Sequence, residues 1–286
     1  MFEPIVEKIK TALERISDPA VLEKIRRLPN RVNEFGVDPF GFNPEFVKYT
    51  VPFVCALYRH YFRVRTVGIQ NIPDGRVLLI ANHSGQLPFD GMMIIAACFL
   101  ERDPPRMVRS MVESWVPSLP VVSWFFPRNG QIVGTRENCR ILLEREEAIL
   151  AFPEGVRGIN KLYSQRYQLQ EFGLGFMRLA LESGAPIVPV AVVGAEEQTI
   201  AVANFRAGAR LLGFPNLPIP LSMPLLGPLS LLPAPSKYTI YFGKPMSFSG
   251  DPDDEDAVLE EKVKQVKGTI QRMLRDGLKA RKHVYW

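Results

Sequence analysis

Residues 77–91 read VLLIANHSGQLPFDG and decide the fold of this chain. The run Val77–Ala81 is short, apolar and uninterrupted, which is typical of a strand buried in a sheet. His83 follows that strand, and Pro88 is well placed to open a helix. Asp90 would then lie in the first turn of the helix. The stretch therefore predicts a buried strand, a short polar loop and a helix.

The signals on either side continue this alternation. The other predicted strands are 62–67, 107–112, 148–152, 187–193 and 238–242, and the predicted helices between them are 91–100, 137–147 and 172–182. Strands separated by helices favour an α/β fold with a largely parallel central sheet flanked by helices. We expect an N-terminal helical extension over 1–61, an α/β domain over 62–250, and a C-terminal helix over 251–286 packed on the same domain.

The composition is that of a globular protein with a modest basic excess. Of 286 residues, 47% are hydrophobic and 23% are charged, and the formal net charge is +5. That excess suits an anionic partner such as a phospholipid surface or a phosphorylated substrate. A nucleic acid partner is not expected, because the chain has no dense Lys/Arg tract and no zinc-finger spacing. The three cysteines form no CxxC pair, so neither a disulfide framework nor a cysteine-rich metal site is supported.

The sequence predicts contact with a membrane rather than a membrane span. A spanning helix needs about 20 consecutive apolar residues. The longest uncharged stretch, residues 211–236, contains seven prolines, which exclude a regular spanning helix. We expect it to dip into the lipid interface, helped by the flanking Arg206, Arg210 and Lys237; the alternative is an irregular cover over the sheet. Residues 2–16 are apolar at helical spacing and lack the apolar core of a signal peptide, so they are a second candidate anchor; the alternative is that they pack against the body of the protein. We expect a cytoplasmic protein held peripherally on the inner face of a membrane.

His83 and Asp90 are candidates for general-base chemistry. Ligands of α/β sheets bind beyond the carboxyl ends of the strands, which is where His83 lies. A histidine can accept a proton from a hydroxyl at neutral pH, and a nearby carboxylate fixes its tautomer and stabilises the imidazolium that forms. The other two histidines are His60, which precedes the sheet, and His283, in the predicted terminal helix. Taken alone, the pair is also compatible with a purely structural role.

The ends of two later strands carry further candidates. After the predicted strand 148–152, Glu154 and Gly155 stop the strand, and the Arg157 guanidinium could bind a phosphate or a carboxylate. The alternative is a surface turn with a partial ion pair. Pro189 lies inside an apolar run and cannot donate to a sheet ladder, so it predicts an edge strand or a bulge.

Together these segments resemble a known family. An NH and an Asp after one strand, FPEG-x-R after a later strand, and an IVPV strand follow one another in the order found in the glycerolipid acyltransferase superfamily. That superfamily contains the lysophosphatidic acid acyltransferases and the monoacylglycerol acyltransferase-like proteins. The resemblance extends over residues 38–245 and includes the intervening sequences YFRVRTVGIQNIP, IVGTRENCRILLE and RYQLQEFGLGFMRLA.

The resemblance implies roles for the motif residues. His83 would deprotonate the acceptor hydroxyl and Asp90 would hold the imidazole, while Glu154, Gly155 and Arg157 would position the polar head of the acceptor. Six residues separate His83 from Asp90, whereas the common motif has four. The longer form is similar to that of the monoacylglycerol acyltransferase-like branch.

The resemblance also implies the two substrates. Pro189 matches the proline of the last motif, beside the acyl donor, and Arg136 is the candidate for the family's arginine-bearing second motif. The donor would be acyl-CoA or acyl-carrier protein, and the acceptor a lipid alcohol such as a lysophospholipid or monoacylglycerol. The family reaction needs no metal, so no cofactor is expected. Two alternatives stay open: a non-catalytic acyl-lipid-binding protein, and a lipid or thioester hydrolase on the same fold.

Overall fold

The computed structural model describes residues 18–28, 31–84, 88–119, 121–205, 209 and 217–285. The predicted amphipathic segment 2–16 lies outside the described residues, as do Arg206 and Arg210.

Nine strands and nine α-helices lie within the described ranges. The strands are β1 Arg65–Val67, β2 Val77–Ala81, β3 Val108–Val112, β4 Ile132–Val133, β5 Ala148–Ala151, β6 Ile187–Val193, β7 Ala201–Asn204, β8 Pro218–Pro220 and β9 Thr239–Phe242. The helices are α1 Pro19–Arg26, α2 Pro44–Ala56, α3 Phe89–Leu100, α4 Val122–Arg128, α5 Arg136–Glu144, α6 Val156–Ile159, α7 Gly175–Ser183, α8 Met223–Leu226 and α9 Asp256–Ala280. A π-helical turn, Leu57–Tyr61, continues α2.

Seven strands form one sheet, in the order β1-β9-β6-β2-β5-β3-β4, and β7 pairs with β8 separately. The strands from β6 to β4 in this order are mutually parallel. β9 is antiparallel to β6, and β1 is parallel to β9. The predicted α/β fold with a largely parallel sheet is confirmed. The carboxyl ends of β2 to β6 share one side of the sheet, which we call the carboxyl edge.

Hydrophobic side chains on both faces of the sheet hold the layers together. Every residue of β2 and of β6 is buried. Leu78 and Ile80 share a hydrophobic cluster with α5, α7 and α9, whereas Val77, Leu79 and Ala81 share the opposite one with α3. Complete burial of one leucine side chain contributes about 1.5–3 kcal/mol. Both faces of these strands are therefore covered, and polar chemistry is left to the edge loops.

Pro189 occupies an interior strand, so of the two predicted alternatives, an edge strand or a bulge, the edge strand is excluded. β6 lies between β2 and β9. The predicted break in the ladder is present. Between the Ile187–Met246 bridge and the Val190–Phe242 pair, β6 advances three residues while the opposite chain advances four. The proline, which has no N–H to donate, lies at this irregular point, where a regular ladder bond is not required.

β1 and α9 begin later than predicted, each for a local reason. β1 starts late because Phe62 N–H still donates to the carbonyl of Leu57, at 2.8 Å, and closes the π-helical turn. α9 starts late because the Asp251 side chain accepts the N–H of Asp253, at 2.8 Å, in a turn. At its other end α9 stops before His283, which therefore is not in the helix as predicted.

The described part of the uncharged stretch, residues 217–236, is not one regular helix. It contains β8, α8 and the 3₁₀ turn Gly227–Leu231, in agreement with its proline content. Among the residues that the structure describes, no helix is long and apolar enough to cross a bilayer.

Candidate active site

His83 and Asp90 form a hydrogen-bonded pair at the carboxyl edge. β2 ends at Ala81, and α3 starts at Phe89, which places Asp90 in the first turn of the helix. His83 Nδ1 lies 2.7 Å from Asp90 Oδ2. The Asp90 side chain is fully buried, whereas 14% of the His83 side chain is exposed. A carboxylate only accepts, so Nδ1 carries the shared proton, and the lone pair of the neutral imidazole is on Nε2.

Backbone donors hold the Asp90 carboxylate in place. Asp90 Oδ2 also accepts the N–H of Ser84, at 2.8 Å, and Oδ1 accepts the N–H of Gly91, at 2.7 Å. The carboxylate lies in the first turn of α3, where the helix dipole favours a negative charge. The charge is therefore compensated although it is buried, and the imidazole has a fixed partner.

The His83 ring is also held by an aromatic neighbour that the sequence did not predict. Phe152, directly after β5, stacks on the imidazole with the ring centroids 4.1 Å apart and the planes 20° apart. β2 and β5 are adjacent and parallel, with Ile80 opposite Ala151, so the residues that follow both strands meet. The phenylalanine of FPEG was the available signal, and it became informative only with the strand order.

Glu154 is buried and binds protein backbone. Its Oε1 accepts the N–H of His83, at 2.9 Å, and its Oε2 accepts the N–H of Gln170, at 2.7 Å. The side chain has no exposed surface, so in this structure it does not face an acceptor head group as predicted. It instead ties the loop after β2 to the loop after β5.

Lys161 and Glu196 extend this buried network and were missed by sequence reasoning. Lys161 Nζ lies 2.9 Å from Glu196 Oε1 and 3.6 Å from Glu154 Oε2, and both Lys161 and Glu196 side chains are only 4% exposed. Burial raises the pKa of Glu196 to about 7, although contact with Lys161 lowers that pKa in part. Charges this buried need partners, and here the pairing fixes Glu154 behind His83. Neither residue belongs to a recognisable motif, so no sequence signal marked them.

Gly155 and Arg157 lie on the exposed side of the same loop. Gly155 has φ +54°, ψ −143°, a conformation essentially restricted to glycine. Arg157 follows in α6, with 55% of its side chain exposed, and its NH1 lies 2.8 Å from the exposed Glu171. The guanidinium is thus accessible to an anionic group in solution.

The remaining two predicted residues lie outside this cluster. Arg136 is the first residue of α5, and its Nε lies 2.9 Å from the Glu182 carboxylate of α7. Pro189 is buried in β6, opposite Ile80 of β2. The structure thus brings together His83, Asp90 and Glu154, and Gly155 lies on the same loop as Glu154. Within the part of the chain that the structure describes, neither Arg136 nor Pro189 has a hydrogen bond or ring contact with the imidazole.

Comparison with known proteins gives the same assignment as the motifs. The model of the family described as Acyltransferase matches residues 63–193, which include both motif loops. An uncharacterized protein of Mycobacterium tuberculosis is 37% identical over 259 residues, which cover 88% of this chain and 72% of that protein. The chain belongs to the glycerolipid acyltransferase superfamily. It is an O-acyltransferase of lipid metabolism. A probable 1-acyl-sn-glycerol-3-phosphate acyltransferase of Mycoplasma pneumoniae is 28% identical over 146 residues, 48% of this acyltransferase and 52% of that protein.

The fold of the acyltransferase is similar to that of a solved enzyme. The crystal structure of the 1-acyl-sn-glycerophosphate (LPA) acyltransferase PlsC from Thermotoga maritima matches with a TM-score of 0.52 and 18% identity. The match covers 84% of this acyltransferase and 83% of that chain. At this identity the likeness concerns the architecture.

Gly158 provides a test of how closely His83 is packed in this acyltransferase. A Cβ at Gly158 would lie 2.9 Å from the Cβ atoms of both His83 and Glu154. We expect Gly158→Ala to displace the imidazole and lower the acyl transfer rate by about 10²-fold, since a misplacement of about 1 Å can have that effect. Gly175→Ala is the matched control, because no atom lies within 4 Å of its Cβ position. A folded Gly158→Ala enzyme with the rate of the control would contradict the assigned packing.

Proposed function

We propose that this enzyme transfers a fatty acyl group from a thioester, acyl-CoA or acyl-carrier protein, to the hydroxyl of a glycerolipid or lysophospholipid. The observation that carries the proposal is the 2.7 Å contact between His83 Nδ1 and the buried Asp90 carboxylate at the carboxyl edge. The relative from Mycoplasma pneumoniae, a probable 1-acyl-sn-glycerol-3-phosphate acyltransferase, supports a lysophospholipid as the acceptor class.

The proposed reaction is a direct transfer. His83 Nε2 takes the proton of the acceptor hydroxyl while the oxygen attacks the thioester carbonyl carbon. The tetrahedral intermediate then collapses, the carbon–sulfur bond breaks, and the thiolate leaves with the proton from the imidazolium. Asp90 stabilises the imidazolium between these two steps. The product is an ester and a free thiol, and no acyl-enzyme forms.

The other motif residues have separate proposed roles. Glu154 is a positioning residue that holds the His83 backbone, and Gly155 allows the chain to turn away from β5. Arg157 is the proposed contact for an anionic acceptor head group. Arg136 and Pro189 stay predictions as substrate-binding residues. Pro189 is the better supported of the two for the donor side, because it lies in the strand next to β2.

Two other functions on this fold make different predictions. A non-catalytic lipid-binding protein has no use for a histidine whose tautomer is fixed by a buried carboxylate. A hydrolase would release free thiol from acyl-CoA without acceptor, and added acceptor would not divert the acyl group. Assays of thiol release and ester formation in the same reaction distinguish the three.

We also propose a site of action and a division of the chain. The enzyme acts while bound peripherally to the cytoplasmic face of an anionic membrane, a location that its formal net charge of +5 supports. Residues 62–250 form the catalytic unit, preceded by the N-terminal extension 1–61 and followed by the helix within 251–286. Separation of cell membranes from soluble protein, with and without a high-salt wash, tests the location.

The proposed base is tested by paired histidine variants. His83→Ala should lower turnover by about 10²–10⁴-fold, the usual contribution of a positioned general base. Asp90→Asn should have a smaller effect, because the imidazole stays in place with a poorer partner. His60→Ala is the matched control, since His60 is exposed on the π-helical turn before β1. Near-normal transfer by a folded His83→Ala enzyme would exclude this mechanism.

The proposed contact between Arg157 and the acceptor head group is tested by comparing KM with kcat. Loss of one charge-assisted contact, roughly 1.5–3 kcal/mol, should raise the KM for a phosphorylated acceptor about tenfold or more in Arg157→Ala, with kcat little changed. Arg157→Lys should restore little, because an ammonium group does not reproduce the guanidinium fork. Arg140→Ala, on the exposed side of α5, is the control. Equal effects on phosphorylated and neutral acceptors would assign Arg157 to a structural role.

A further inference from the structure

Large hydrophobic side chains are exposed mainly in two segments of the described chain. Of the fourteen such residues that are exposed among those the structure describes, ten lie in residues 121–125 and 202–232. The first segment contributes Val121, Trp124 and Phe125, which we call the aromatic surface. The second contributes Leu221, Leu225, Leu226, Leu229 and Leu232, which we call the leucine surface, together with Val202 and Phe205. A soluble protein seldom exposes apolar side chains in such concentration without a partner.

Both segments leave the sheet and return to it at the carboxyl edge. The chain between β3 and β4 carries the aromatic surface, and β4 pairs with the end of β3, Met111 opposite Ile132. The chain between β6 and β9 carries the leucine surface, and β9 pairs with the end of β6, Val193 opposite Thr239. In the sheet order, β2 and β5 lie between β6 and β3. The loop that carries His83 therefore emerges between the two surfaces.

The aromatic surface is supported from behind. Trp124 and Phe125 pack edge-on against Phe46 of α2, with ring centroids 5.1 and 5.8 Å apart. The Arg128 guanidinium stacks over the Trp124 ring at 4.6 Å. Trp124 remains 50% exposed and Val121 73% exposed in spite of these contacts. Tryptophan together with arginine is typical of the boundary between lipid and water.

The leucine surface is anchored by hydrogen bonds that do not involve its leucines. The Tyr61 hydroxyl donates to the Pro233 carbonyl at 2.5 Å, and Arg63 NH2 donates to the Pro235 carbonyl at 2.6 Å. Leu225, in α8, is nevertheless 89% exposed. The segment is thus held in position from the protein side while its leucines face outward.

The chain that carries the leucine surface is also linked to α6, the short helix that follows β5. β8 pairs with β7, whose Asn204 side chain donates to the carbonyl of Asn160, at 2.9 Å. Asn160 caps α6, the helix that packs Gly158 against His83. The β7–β8 hairpin therefore leads into the leucine surface at one end and is hydrogen-bonded to the end of α6 at the other.

We propose that the aromatic and leucine surfaces together bind an anionic lipid bilayer with the carboxyl edge facing it, so that a lipid acceptor reaches His83 directly from the membrane. This inference rests on the proposed function for its substrate. Charge favours an anionic bilayer as the occupant: Arg128 borders the aromatic surface, and Lys237 follows the leucine segment. Leucine, tryptophan and arginine are also the side-chain types that proteins place at a lipid interface.

Flotation with phosphatidylcholine vesicles, with and without phosphatidylglycerol, tests this surface in the full-length protein. Val121→Asp with Trp124→Asp, and separately Leu225→Asp with Leu226→Asp, should each weaken partition about tenfold or more. Phosphatidylglycerol should strengthen wild-type binding, and salt should weaken it. Phe35→Asp is the matched control, a residue 78% exposed in the turn at Asn33–Val37. Unchanged flotation of both double variants, or equal loss in the control, would overturn the proposal.

Two further measurements separate the possible failures. On a monomerically dispersed short-chain acceptor, the double variants should keep the wild-type rate, while on vesicle-embedded acceptor they should lose activity in step with flotation. A wild type that floats but transfers no acyl group would overturn the proposed function and leave the surface standing. Analytical ultracentrifugation tests whether a second copy of the chain binds these surfaces instead of a bilayer. A wild-type dimer that the same substitutions dissociate, together with no vesicle binding, would show that it does and would overturn the proposal.

Discussion

The buried carboxylate of Asp90 joins the loop after β2 to the first turn of α3, and the geometry of the site depends on that junction. One oxygen holds His83 Nδ1 and the Ser84 N–H, and the other holds the Gly91 N–H. Leaving one of these groups unpaired costs roughly 1–3 kcal/mol, so His83 and Ser84 are held in one arrangement against Asp90. Phe152 and Glu154 complete it from β5, because β2 and β5 are parallel neighbours.

The fold was largely predictable because the central strands are buried on both faces. Such strands form continuous apolar runs, and those of β2 and β6 predicted Val77–Ala81 and Ile187–Val193 with the ends that the structure has. β4 was not predicted, since a strand of two residues has no apolar run of its own. Pro189 predicted either an edge strand or a bulge, and the sequence could not decide between them because it does not reveal strand order; the structure has the irregular ladder inside the sheet.

The catalytic pair was predictable from a local pattern, whereas its surroundings were not. A histidine after a buried strand and an aspartate after a helix-opening proline are close in sequence, and both act across one loop. Phe152, Lys161 and Glu196 depend on contacts between distant segments, so their roles appear only with the strand order. Glu154 was recognised through the resemblance, but a motif does not distinguish a carboxylate that faces substrate from one that binds backbone.

The tautomer of His83 is the most direct test of the central claim, that Asp90 holds Nδ1–H and leaves Nε2 as the base. A long-range proton–nitrogen correlation spectrum of protein with isotope-labelled histidine resolves three imidazoles, and the His83→Ala variant assigns the relevant one. In the neutral imidazole of His83 we expect Nδ1 protonated and Nε2 unprotonated, and we expect Asp90→Asn to lose this preference. A spectrum with the proton on Nε2 in the wild-type enzyme would contradict the account.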